Sequence, residues 1–415
     1  MGVLLLGADY YGTLAAARVY GKAGLKVTMA DERRRARALW SRHVADKLVH
    51  PPLSRPAELV DWLVAWGKNN PGTVLYPPND HLAWLFAAER ERLSKVFAMF
   101  SPGEDAVFAL LDKKRLHAVC SRVGIDVPET LDAADAAAGR DVPLPVLLKP
   151  RTQVYLTGGI KGFIAHDRAE LDAELARFRQ LVVFDPILAG RHPDIAEPML
   201  QEYLPAAETN IASISGFVDA DGAIVARSAT KVLQRPRKVG IGLCFEGRTP
   251  EPALVDKLAA LCKDVGYHGA FEAEFIVLGE RRLLIDFNPR FYSQMGFDVA
   301  RGLPLPMLVY HSARGEHHRV RAEVARAADW RPRGDEVYCH KTMLDLVLGL
   351  QGLSGQMTRA EVRRWRAWYA AHRSSATDAV RDRDDRMPAL VDAAEWVRHF
   401  ARHPRSFVTN FVLNR

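Results

Sequence analysis

Cysteine is scarce in this chain of 415 residues: Cys120, Cys244, Cys262 and Cys339 stand far apart, with no C-x-x-C pair. That spacing excludes a disulfide framework and the common structural zinc site, and it fits a reducing compartment. Long hydrophobic runs are missing as well. No stretch of about 18 uncharged apolar residues exists, so no membrane span is expected. The opening "MGVLLLGADYYG" has a brief apolar run without a basic lead, which is not a signal peptide. Leu6 stands where an N-myristoylation signal needs Ser or Thr. A cytoplasmic protein is the expectation. Internal repeats and low-complexity tracts are also lacking. Excess charge is small: 57 basic and 50 acidic residues leave +7. Arginine-rich stretches such as "DERRRARALW" and "RAEVRRWRAW" interleave charge with apolar residues at helical spacing, which reads as solvated helix faces. No nucleic-acid-binding motif accompanies them, so neither nucleic acid nor membrane is an expected partner.

What is present is globular: 48% hydrophobic and 26% charged, with a length that suggests about three domains. Residues 1–104 alternate short apolar strands with helices, the pattern of a parallel sheet in a Rossmann-like domain. The first turn, "GADYYG", resembles a dinucleotide fingerprint, and Asp31 closes the second strand. Yet Asp9 replaces the middle glycine and would aim an anion at a pyrophosphate, so no dinucleotide is expected. Residues 105–144 read as a helical connection. Near Pro145 an α+β region begins, with Lys149 ending the strand "LPVLLKP". The glycine-rich turn "TGGIKG" follows. Strands joined by an Asp-Gly turn come next, then an amphipathic helix and a hairpin. Residues 319–415 are rich in Arg and Trp, mostly helical, and carry no legible motif. His317 and His318 are adjacent and point apart, so they read as exposed histidines and not as a metal pair.

The hairpin "AFEAEFIVLGERRLLIDFNPRFY" carries the sharpest chemical signal. Alternate strand residues share a face, so Asp286, Asn288 and Arg290 project together. A three-residue loop from Gly279 to Arg281 would pair Leu278 with Arg282 and set Glu274 directly opposite Asp286. Two carboxylates that close repel, and a hard cation bound by both, with the amide oxygen of Asn288, would relieve them. A two-residue turn would instead send Glu274 to the other face. Glu272 shares Glu274's face and is the reserve ligand. Upstream, Gly158, Gly159 and Gly162 would let backbone N–H groups approach phosphate oxygens, and Lys149 would supply a point charge.

The ordered series "LLDKKRLHAVCSRVGIDVPET", "PVLLKP", "TGGIKG", "QEYL", "FEAEFI" and "LIDFNPR" resembles the ATP-grasp superfamily. It is most similar to carbamoyl-phosphate-synthase-like and D-aspartate-ligase-like carboxylate–amine ligases. The likeness spans about residues 1–310. It implies an α/β and α+β multidomain fold: a Rossmann-like N-terminal domain, an ATP-grasp lid subdomain at 145–205, a catalytic subdomain at 206–318 and the helical C-terminal extension. By position, Lys113 and Lys149 match lysines on ATP phosphates, and 158–162 the lid that closes over them. Gln201, Glu202, Tyr203 and Leu204 match the hinge at adenine, and Glu208 the acid at the ribose. Glu274, Asp286 and Asn288 match metal ligands, although the family usually has Glu where Asp286 stands. Arg290 matches the arginine beside the transferred phosphate, and Lys231 a basic residue near it. Asn79 and Asp80 match a segment near the substrate cleft.

The resemblance implies ATP and one or two Mg²⁺ (or Mn²⁺) ions as cofactors. It implies an amide bond formed from a small carboxylate and an amine, an amino acid among them, through an acyl phosphate. Activation of bicarbonate or formate, and a nucleotide-binding regulator without turnover, are the alternatives. A homodimer is left open.

Overall fold

The computed structural model describes residues 2–137, 140–157, 160–235 and 242–413. Three sheets organise the chain. The first holds β1 (Gly2–Leu6), β2 (Lys26–Asp31), β3 (Asp46–Val49), β4 (Val74–Leu75) and β5 (Ala98–Met99) in the order β3-β2-β1-β4-β5, all parallel. The central strands β1 and β4 are apolar throughout and almost wholly buried, as in a parallel sheet covered on both faces.

The glycines of the first turn have packing reasons. Gly7 adopts φ +68°, and a Cβ on Gly12 would lie 2.4 Å from the Tyr292 carbonyl oxygen. Asp31 accepts the backbone N–H groups of Ala8 (2.7 Å) and Arg33 (2.9 Å), so its carboxylate closes the turn itself.

The second sheet is antiparallel and contains β6 (Thr130–Asp132), β7 (Val146–Lys149), β8 (Phe163–Ala165) and β9 (Met199–Glu202) in the order β6-β9-β7-β8. Its edge strand β6 comes from the stretch read as a purely helical connection. Three residues are too few to show a period.

The third sheet has seven strands: β10 (Ile211–Val218), β11 (Ile224–Gln234), β12 (Gly242–Arg248), β13 (Gly269–Leu278), β14 (Arg281–Asn288), β15 (Val337–Cys339) and β16 (Ala376–Asp378). Their order is β14-β13-β10-β11-β12-β15-β16. The helices Lys113–Val123 and Pro252–Val265 bury Leu116, Cys120, Leu258 and Cys262 on the sheet residues Phe271, Phe275 and Phe287. The C-terminal region is mainly helical but contributes β15 and β16, which extend this sheet.

The C-terminal region also docks on the first domain. Buried Asp385 accepts from Arg18 Nε (2.8 Å), Ser41 Oγ (2.8 Å) and the Arg42 N–H (2.9 Å). Buried Asp392 faces Arg37 Nη1 at 3.2 Å.

Candidate active site

The β13–β14 hairpin does not turn as the sequence suggested. Leu278 pairs with Arg281 across a two-residue Gly279–Glu280 turn, with Gly279 at φ +56°. That register alone would send Glu274 to the wrong face. A bulge at Ile285, between the pairs Phe275–Leu284 and Glu274–Asp286, restores it. Such an insertion shifts the register by one residue and redirects every side chain beyond it. Glu274 therefore stands opposite Asp286, and Glu272 opposite Asn288, all on one face.

Lysines meet these acids. Lys231, on β11, reaches across β10 to Glu274, Nζ to Oε1 at 2.7 Å. Lys113 Nζ pairs with Asp286. Lys113 is the first residue of its helix, whose N-cap Asp112 accepts from the N–H groups of Lys114 and Arg115. Asp112 is fully buried and also binds the Arg151 guanidinium, Nε to Oδ1 at 3.1 Å. The Lys113 N–H in turn donates to the Arg151 carbonyl at 2.8 Å. One buried ion pair thus ties the residue before Lys113 to the residue two after Lys149. Sequence reasoning missed this pair. Its signal was two charged neighbours, "DK" and "KPR", each next to a candidate phosphate lysine.

The charges respond to this crowding. Burial and the Lys113 charge bring the Lys149 ammonium down to about 7. Burial also presses on Lys113, but Asp286 outweighs it and leaves that lysine raised. For Asp286 the balance is reversed: burial opposes ionisation, and Lys113 holds its carboxyl below the usual range. Burial, then the charge of Glu274, push Glu272 up to about 8. Its two oxygens accept from Asn288 Nδ2 (3.2 Å) and from Gln294.

Arg290 crosses to the first domain. Its Nε donates to Asp80 Oδ1 (2.5 Å), Nη2 to Asn288 Oδ1 (2.7 Å) and Nη1 to the Phe291 carbonyl (2.9 Å). Asp80 begins a helix capped by Asn79, whose side chain accepts the Leu82 N–H. The next residue, His81, accepts the Tyr155 N–H at 2.7 Å through Nδ1. Tyr155 is the one non-glycine residue with positive φ among those described, +49°, a conformation costing ~1–2 kcal/mol for a residue with a Cβ. His81 and Tyr155, which sequence reasoning did not single out, clamp the segment after Lys149 onto the first domain.

The remaining candidates divide. Gly158 and Gly159 lie outside the described residues. Gly162 is at φ +149°, and a Cβ there would meet the Leu148 carbonyl oxygen at 2.5 Å. Gln201 and Glu202 end β9, and Tyr203 and Leu204 lead from it towards β10, so "QEYL" runs between the second and third sheets. Gln234 Nε2 holds the following turn by donating to the carbonyls of Ala207 (3.1 Å) and Glu208 (3.2 Å). Glu208 and Lys231 line a cavity of ≈ 520 Å³ together with Trp365 and Trp368 of the C-terminal helix Arg359–His372.

Among the described residues no group of three or more His, Cys, Asp or Glu side chains is spaced to hold a metal. The convergent oxygen set is two carboxylates and an amide, with Glu272 behind. That chemistry suits a hard cation that keeps several waters.

No protein-family model matches the sequence, and no curated protein does. Solved structures match in fold. A biotin carboxylase–β,γ-ATP complex from Campylobacter jejuni superposes with TM-score 0.60 at 16% identity, over 75% of this chain and 71% of that one. An L-amino acid ligase from Bacillus licheniformis gives 0.55 at 12%, over 76% and 74%. The biotin carboxylase domain of the Hydrogenobacter thermophilus 2-oxoglutarate carboxylase, in complex with MgADP, ADP and bicarbonate, gives 0.56 at 17%, over 80% and 71%. The chain has the ATP-grasp fold that its sequence resemblance implied. No helix among the described residues is long and apolar enough to cross a membrane.

Proposed function

We propose that the protein is an ATP-dependent ligase that joins a small carboxylate to an amine through an acyl phosphate. The observation that carries the reading is that Glu274, Asp286 and Asn288 share one face of the hairpin and meet Lys231, Lys113 and Arg290 there, with the Lys149 charge acting on Lys113 and Asp286. Such a mixed set suits phosphoryl transfer, which depends mainly on positioning and electrostatic stabilisation.

In this reading Lys113 and Lys149 hold the triphosphate. The strand end and turn from Gln201 to Leu204 hold adenine, and Glu208 the ribose. Glu274, Asp286 and Asn288 hold Mg²⁺, with Glu272 in reserve. Bound there, the ion would spread the charge of the β- and γ-phosphates. Lys113 and Lys231 would exchange Asp286 and Glu274 for phosphate if a cation took those carboxylates, which would keep the buried charge balanced. A carboxylate oxygen of the substrate attacks the γ-phosphorus, the bridging P–O bond breaks and ADP leaves. The amine then attacks the acyl carbon, phosphate departs and the amine loses a proton. Arg290 steadies the developing phosphate charge. Asp80 keeps the guanidinium oriented.

Bicarbonate activation is the second reading, favoured by the carboxylases among the structural neighbours. Incorporation of labelled bicarbonate separates it from amide formation. The primary test is calorimetric titration of Mg·ATP into the wild type and Lys149→Ala. Micromolar, magnesium-dependent binding that is lost in the variant supports the reading. It then justifies screening acids and amines for ADP release. Absence of binding to the wild type refutes it.

A further inference from the structure

Two distant segments meet across a cavity of ≈ 340 Å³. Arg33, Arg34 and Arg35 follow β2, and Arg398 and Arg402 belong to the helix Met387–Arg402. These five guanidiniums share the cavity with just two carboxylates, Asp9 and Glu395. Arg33 pairs with Asp9, and Arg398 with Glu395. The side chains of Arg34, Arg35 and Arg402 have no ion pair or hydrogen bond among the described residues.

Exposed single arginines are ordinary and solvated. Here, however, the helix is held in place by buried Asp392 against Arg37, and Asp385 anchors the turn before it. Docking therefore forces three uncompensated guanidiniums around one concavity, which focuses a positive field on it. Guanidinium forks match phosphate oxygens in pairs.

The cavity also leads towards the reacting groups. A second cavity of ≈ 170 Å³ shares Asp9 and Arg33 with it and is bounded by Tyr10. Leu82 lines it too, on the helix that begins at Asp80, the carboxylate that binds Arg290.

We propose that the arginine-lined cavity binds a phosphate monoester, the anionic end of the substrate whose reacting group lies at Arg290. The substrate half of this inference rests on the ligase reading. The binding half does not.

The test is calorimetric titration of glycerol 3-phosphate, inorganic phosphate and glycerol at low salt. The proteins are the wild type, Lys149→Ala and the double variant Arg34→Ala/Arg402→Ala, with Mg·ATP titrated into each sample. The expected result is glycerol 3-phosphate binding that is equal in the wild type and Lys149→Ala and roughly tenfold weaker in the double variant. Mg·ATP affinity should be unchanged in the double variant. Equal affinity in the double variant, or no binding at all, overturns the site. Loss in Lys149→Ala also overturns it, because the phosphate would then sit in the triphosphate subsite. Inorganic phosphate binding as tightly as the ester overturns the substrate assignment in favour of a free anion, whereas tighter binding of the ester supports it. Failure of Mg·ATP to bind the wild type, with ester binding intact, brings down the ligase reading and supports the site on its own.

Discussion

Replacing Gly12 with alanine sets two effects of opposite sign against each other. Gly12 lies in the first turn of the helix Tyr11–Lys22, where alanine is favoured over glycine by ~1 kcal/mol. The new Cβ, however, would stand 2.4 Å from the Tyr292 oxygen and 3.1 Å from its carbonyl carbon. That carbonyl is backbone, already accepts the Met295 N–H at 3.1 Å, and cannot swing away as a side chain would. Overpacking of this kind costs ~1–3 kcal/mol, so the net expectation is a loss of ~1 kcal/mol. The chain that must move includes Arg290, two residues upstream of Tyr292. A misplacement approaching ~1 Å near a reacting centre can cost on the order of 100-fold in rate. Gly24→Ala is the control: Gly24 has φ +76° with no atom near its Cβ position, so it should lose ~1–2 kcal/mol from backbone strain alone. Urea unfolding should therefore rank the two variants as similarly destabilised. ADP formation should fall well beyond the wild type's range in Gly12→Ala only. Wild-type stability and activity in Gly12→Ala would refute the rigid contact. Equal activity loss in Gly24→Ala would refute the displacement argument.

Two further outcomes follow from buried polar groups. Burial, with Lys149 and Lys113 nearby, brings the His117 imidazole down to about 3, against about 6.5 in the unfolded chain. The unfolded state therefore takes the proton first. Stability present above pH 6.5 is lost as pH falls towards 3, ~2 kcal/mol of it by pH 5 at ~1.4 kcal/mol per unit. His117→Gln should flatten that part of the urea-unfolding profile between pH 7.5 and 5, and identical pH dependence in the two proteins would contradict the assignment. Asp385→Ala strands Arg18, whose side chain is 11% exposed, and breaking such a pair costs ~3–5 kcal/mol. Faster proteolysis within residues 380–402 is expected, and an unchanged cleavage pattern would show that Asp385 does not anchor this region.

The legibility of the site differed from residue to residue. The two-residue period of a strand placed Asp286 and Asn288 on one face, and the face is as expected. The opposition of Glu274 and Asp286 also holds, but the expected three-residue loop does not. A shorter turn and a bulge at Ile285 offset each other, and a one-residue insertion leaves no mark on local pattern. The stretch 105–144 and the C-terminal region concealed β6, β15 and β16, each three residues long. The Arg33–Arg35 run reads as a solvated helix face, and the arginines of the helix Met387–Arg402 lie in a region without a legible motif. Their meeting depends on Asp385 and Asp392, and the hydrogen-bond partners of the Asp385 side chain lie 343 or more residues away in sequence.

What the sequence by itself determined is what short-range physics controls. Strand period, helix caps such as Asp112, and glycines forced by a left-handed turn or a close approach are local. So is the order of motifs from which the ATP-grasp fold could be named. Only the tertiary structure decided which charges meet: Lys231 with Glu274 across an intervening strand, Lys113 with Asp286, and Arg290 with Asp80 at 210 positions' separation. Ion pairing falls off with distance in space and is indifferent to distance along the chain. Partners of this kind exist only once the sheets have been packed together.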